Sequence, residues 1–86
     1  MRYVRCRVFL GFFETEFYVI VDESAAFVSR ETVRVDRAPA PDNAVDGQVL
    51  VYVVQEEKDR TLVQLPGEIA VGGLRTWVPT AALLAA

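Results

Sequence analysis

Two stretches near the start of this chain alternate strictly in polarity, and a pair of β-strands is the structure that satisfies such a pattern. In residues 2–10, Val4, Cys6, Val8 and Leu10 fall on one side and Tyr3, Arg5, Arg7 and Phe9 on the other. In residues 13–21, Phe13, Thr15, Phe17, Val19 and Val21 oppose Glu14, Glu16, Tyr18 and Ile20. Successive side chains of a strand point to opposite faces, so a period of two with one apolar set marks a strand with one buried side. Gly11-Phe12 lies between the two stretches, and a Gly-X pair suits a two-residue type II′ turn. That turn predicts Val4 opposite Val19, Cys6 opposite Phe17 and Leu10 opposite Phe13. On the other face it predicts Arg7 against Glu16, Arg5 against Tyr18 and Phe9 against Glu14. Charges and apolar sets match together in this register.

The remainder continues in the same manner. Asp22-Glu23-Ser24 reads as a turn. Residues 24–33 admit a strand or a helical turn, and short strands near Phe27-Val28 and Thr32–Asp36 are predicted because no apolar stripe continues at helical spacing. The proline-rich segment 38–45 is a connector, since proline donates no ladder hydrogen bond. Residues 48–55 are apolar on both faces, as in a central strand. A polar loop, Glu56–Arg60, then turns the chain so that Val53 meets Val63 and Val51 meets Leu65. Pro66-Gly67 fits a type II turn, and Gly72-Gly73 predicts a second tight hairpin joining Ile69–Val71 to Leu74–Thr76. Pro79 ends the last strand, and Thr80–Ala86 is expected to be a turn or a frayed helical end.

The expected fold is therefore all-β: a small barrel or sandwich of antiparallel hairpins forming one domain over residues 1–86. Two pseudo-repeated halves, 1–37 and 46–86, would be joined by the proline-rich loop 38–45. Phe27-Val28 with Val33, and Trp77-Val78 with Leu83, share an aromatic-Val-four residues-aliphatic spacing. Three shared positions are a match that chance also supplies. The Trp77-Val78-Pro79 ending resembles the way small SH3-like barrels close through a 3₁₀ turn, a likeness of architecture carried by no family motif.

Composition excludes several classes of function. The chain has no histidine, one cysteine and a net charge of −3 over 86 residues. Imidazole acid–base chemistry, Ser-His and Cys-His nucleophile pairs and Cys- or His-based metal sites are thus ruled out. Weak net acidity argues against a general polyanion binder. A lone cysteine and no signal-peptide pattern make the cytoplasm the expected compartment, and no membrane span is expected. The Asp42–Gly47 segment lacks calcium-ligand oxygens at the required positions, since Ala44 stands at the third. Gly72-Gly73 lacks the spacing of a phosphate cradle. Glu56, Glu57 and Asp59 sit on a solvated loop, where nothing would raise a carboxyl pKa for acid catalysis. Cys6 falls on the inward face and reads as a small buried hydrophobe. No catalytic residue, cofactor or metal is expected.

The outward face of the first hairpin is the informative feature. Tyr3, Arg5, Phe9, Tyr18 and Ile20, with Trp77 from the later hairpin, are the candidate partner-binding residues. Aromatics with arginines occur in protein interfaces and on base-stacking sheets alike. Glu14 and Glu16 share that face and would repel phosphate, so a protein partner is expected, the chain itself first, as a homodimer or larger assembly. A 52% hydrophobic content in so short a chain points the same way. The expected function is a non-catalytic interaction module or subunit of an assembly. A single-stranded nucleic-acid module using Arg5, Arg7, Tyr3 and Tyr18 is the alternative, and a small carboxylate enzyme the third.

Overall fold

The computed structural model describes residues 1–85. Their elements are β1 (Arg2–Leu10), β2 (Glu16–Val21), β3 (Ser24–Ser29), the 3₁₀ turn η1 (Arg30–Thr32), β4 (Val33–Val35), β5 (Val45–Glu56), β6 (Arg60–Gln64), β7 (Glu68–Val71), β8 (Arg75–Pro79), the 3₁₀ turn η2 (Thr80–Ala82) and β9 (Leu83–Ala85). The strands form one curled antiparallel sheet, a half-barrel, in the order β7-β3-β2-β1-β5-β6-β8, with β4 on β5 and β9 on β1. The all-β fold expected from alternation is the fold observed. Residues 24–33 resolve into strand, 3₁₀ turn and strand; at the C-terminus, where a turn or a frayed helical end is expected, η2 is a turn and β9 follows it. Residue 86 lies outside the described residues.

The inward set of each strand makes one core. Val4, Val8, Val19, Val28, Val49, Val51, Val63 and Leu65 are all nearly or fully sealed from solvent within a single cluster. Each fully buried aliphatic side chain contributes about 1.5–3 kcal/mol of transfer free energy, so this cluster supplies most of the drive to fold. β-branched valine suits it, because its restricted rotamer costs little on a pleated surface.

The pairing repeats along the chain. Val33 on β4 faces Val49 on β5, as Leu83 on β9 faces Val4 on β1. Val8 faces Val19 as Val53 faces Val63, and Phe17 faces Val28 as Thr61 faces Val78. The Arg30 N–H donates to the Thr15 carbonyl at 3.1 Å, and the Thr80 N–H donates to the Asp59 carbonyl at the same 3.1 Å. β1 and β5 join the two sets directly, with Val4 opposite Val49. Buried positions also differ between the two sets: Phe17 corresponds to Thr61, whose hydroxyl is satisfied by the Thr80 hydroxyl at 2.9 Å, and Ala26 to Thr76.

Two expected pairings are corrected. In the first hairpin Arg7 faces Ile20, Phe9 faces Tyr18 and Leu10 faces Phe17, four residues further along than the Gly11-Phe12 turn requires. The cause is Glu16. Its carboxylate accepts the Phe12 N–H at 2.8 Å and the Phe13 N–H at 3.4 Å, and its own N–H donates to the Phe13 carbonyl at 3.2 Å. These bonds hold a wider turn, so Phe13 leaves the core and is 72% exposed. Arg7 then pairs with Asp46 of β5 at 2.8 Å instead of Glu16. Both side chains are more than half exposed, so this bond contributes well under ~1 kcal/mol. The later loop behaves as expected at Val53–Val63, and a bulge then shifts the register before Gln55.

The second correction concerns Gly72-Gly73. β7 does not fold back on β8; it pairs with β3, with Ala25 opposite Val71 and Phe27 opposite Glu68. Glycines permit this excursion. Gly67 has φ 151° and a side chain there would fall on the Phe27 carbonyl, while Gly72 has φ 77° and passes against the Glu23 carbonyl. Gly67→Ala is expected to cost about 1–3 kcal/mol and to release β7 from β3. Chemical denaturation with amide exchange at Phe27 measures both, and unchanged protection of Phe27 would contradict this account.

Candidate interaction surface

The outward side of β1, β2 and β3 carries a row of rings. Phe9 and Tyr18 lie across the β1–β2 ladder with centroids 5.8 Å apart. Tyr18 and Phe27 lie across the β2–β3 ladder, stacked at 5.1 Å. Phe12, brought back by the wide turn, stacks on Phe27 at 5.3 Å. Each contact is within the range where aromatic pairs gain about 0.5–1.5 kcal/mol beyond area burial. The rings shelter one another, which leaves Phe9, Tyr18 and Phe27 only partly exposed. The end of the row is open: Phe12 is 83% exposed, beside the exposed Phe13. Ile69 and Val71 of β7 add further exposed apolar surface on the far side of β3.

The structure brings together part of the predicted set. Phe9 and Tyr18 are in contact, and Ile20 follows Tyr18 on the same outward face of β2. Tyr3 and Arg5 lie toward the other end of β1. The Arg34 guanidinium covers the Tyr3 ring at 3.7 Å. Trp77 sits on β8 in the second half of the chain, with the Arg60 guanidinium 4.0 Å from its ring centre. It faces away from the core, because its neighbours Thr76 and Val78 are the buried ones. Phe12, Phe13 and Phe27 were not among the predicted site residues. Two consecutive phenylalanines directly after a glycine were the available signal, but the expected two-residue turn placed Phe13 inside.

Arg5 borders a separate open groove of about 560 Å³, shared with Arg34, Asp36 and Asp46. Positive and negative groups both line it, and Arg7 is held by Asp46 at its edge. Cys6 lies beneath, buried, and its thiol is pushed up to about 12, first by burial and then by the Asp46 charge. A thiol so raised is a poor nucleophile at neutral pH. Among the described residues no helix is long and apolar enough to cross a membrane. Comparison with protein-family models, with curated proteins and with solved structures finds no match to this chain.

The Cys6 environment predicts a pH effect. The folded thiol keeps its proton above the pH where the unfolded thiol, near 9, loses it. The folded state then binds more protons, so stability falls as pH rises from about 9 toward about 12. The slope approaches about 1.4 kcal/mol per pH unit. Cys6→Val, which keeps a small apolar group, is expected to flatten the difference between pH 9 and pH 11 in urea titrations. Equal slopes in both proteins would contradict the burial argument.

Proposed function

We propose that the chain is a non-catalytic protein-interaction module. Its aromatic sheet face docks on a protein surface, and a second copy of the chain is the first partner. The observation that carries this reading is the exposed Phe12-Phe13 tip at the end of the Phe9–Tyr18–Phe27 row. Contiguous exposed aromatic surface is costly in water and is enriched at the centres of interfaces. Twofold homodimers are the commonest way such a face is covered. β8 runs through η2 into β9, and this 3₁₀ turn between the closing strands supports an SH3-like reading of the architecture.

The same geometry weighs against the nucleic-acid reading. Base stacking needs an open ring face with nearby unpaired cations. Tyr18 is packed between Phe9 and Phe27, Tyr3 lies under Arg34, and Arg7 is neutralised by Asp46.

Sedimentation equilibrium tests the proposal. The wild-type mass is expected to rise above 9.6 kDa with concentration. Phe12→Ser with Phe13→Ser should weaken association about tenfold or more, the effect of losing ~1.4 kcal/mol at a central contact. The Phe13→Ser change alone should move folding stability by no more than about 0.5 kcal/mol, since the ring is exposed. Tyr18→Glu places a charge within the row and should abolish association. A 9.6 kDa monomer at millimolar concentration would show self-association to be wrong.

A further inference from the structure

The repeat in pairing exposes one place where the two halves differ. At β3, the residues whose backbone groups point away from β2 are covered by β7. The Arg30–Thr15 bond and the alternation of an antiparallel ladder assign Ala25 and Phe27 to that outer edge, and these are residues that face β7. At β8 the Leu65 N–H donates to the Leu74 carbonyl at 2.8 Å, and the Thr80 N–H to the Asp59 carbonyl. By the same alternation Thr76 and Val78 bond to β6, and the backbone groups of Arg75 and Trp77 point outward. Proline at position 79 falls on the non-bonded register, where its missing N–H breaks no bond to β6. No strand among the described residues pairs with that edge.

The chain itself explains the difference. β7 exists because the connection from β6 to β8 is long enough to reach β3. The matching connection from β2 to β3 is the tight Asp22-Glu23 turn, which cannot reach along β8. Beside the start of β8 there is an open groove of about 340 Å³, also bordered by Gly72. One wall is Arg75 to Trp77 and the other is Asp22 to Ser24. Asp22 and Glu23 are exposed, and neither forms an ion pair among the described residues.

We propose that the outer edge of β8 is a strand-addition site for an extended segment of a partner protein. The segment pairs antiparallel through the backbone of Arg75 and Trp77, as β7 pairs with Ala25 and Phe27 of β3. Main-chain bonds at an open edge supply affinity, and alternate side chains supply choice. The occupant is defined by the counterpart strand and by charge. It carries consecutive aliphatic residues, as Ile69, Ala70 and Val71 do in β7, and a lysine or arginine at its C-terminal end. That end lies near Asp22 and Glu23, whose two carboxylates outweigh the single Arg75 guanidinium, itself held by the Gln64 Oε1 at 3.0 Å. The site is separate from the aromatic face and stands without it.

The test uses the intact chain and NMR amide exchange. The probe is a capped peptide of the Glu68–Val71 sequence with one lysine appended at its C-terminal end. In the unligated protein at micromolar concentration, the Thr76 and Val78 amides should be protected and those of Arg75 and Trp77 should exchange fast. At ~1 mM peptide the Arg75 and Trp77 amides should slow by about tenfold. The same peptide N-methylated on the residues facing β8 should have no effect, and the protein needs no substitution for this control. Shift changes confined to Phe9, Tyr18 and Phe27, no change at Arg75 and Trp77, or an equal effect of the methylated peptide would overturn the proposal. Protection of Arg75 and Trp77 that appears only as the protein alone is concentrated would overturn it in favour of a second copy.

Discussion

The antiparallel ladder between β1 and β5 is the wall on which everything else is hung. It runs from Arg2–Val51 to Val8–Val45, with Val4 and Val49 facing each other at its centre. Each long strand changes partner on its other edge as it proceeds. β1 leaves β9 for β2 after its first turn of pairing, and β5 leaves β4 for β6. Both strands therefore serve the front and back of one core. Their backbone hydrogen bonds are satisfied along nearly the whole length, which is what allows so small a chain to keep its interior dry.

Around that shared wall the two halves of the chain repeat most of their pairing, β7 on β3 apart, and carry different surfaces. The first half places phenylalanine and tyrosine on its outer face, where the rings stack on one another and spill over at Phe12-Phe13. The second half places Trp77 under Arg60 at the related position, so that a guanidinium covers the ring. Inside, Phe17 is matched by Thr61 with a hydroxyl partner. The fold fixes the positions, and the side chains at those positions decide which face stays apolar toward water.

The strands of this protein, their inward faces and most of the core could be read directly from alternation. Val4, Cys6, Val8, Phe17 and Val19 are buried as their spacing implied. Register could not be read in the same way. A slip of four residues leaves each paired strand residue on the same face, so Val19 meets Val8 instead of Val4 without any change in the alternation. The choice was made by three hydrogen bonds at Glu16, and their outcome put Phe13 into solvent. This is why Phe9 and Tyr18 were recognisable as surface candidates while Phe12 and Phe13 were not.

Local order thus came from the sequence alone: an all-β chain with valine-rich inward faces, a buried Cys6, and no histidine. Tertiary structure decided which strands meet. β7 looks like half of a hairpin with β8, yet it lies on β3, because Gly67 and Gly72 let the chain pass close against the backbone of the first half. β9 looks like a frayed end, yet it pairs with the start of β1. Periodicity records only which way a side chain points. The partner of a strand is set by loop reach and by which open edge lies within that reach, and both quantities exist only once the chain is folded.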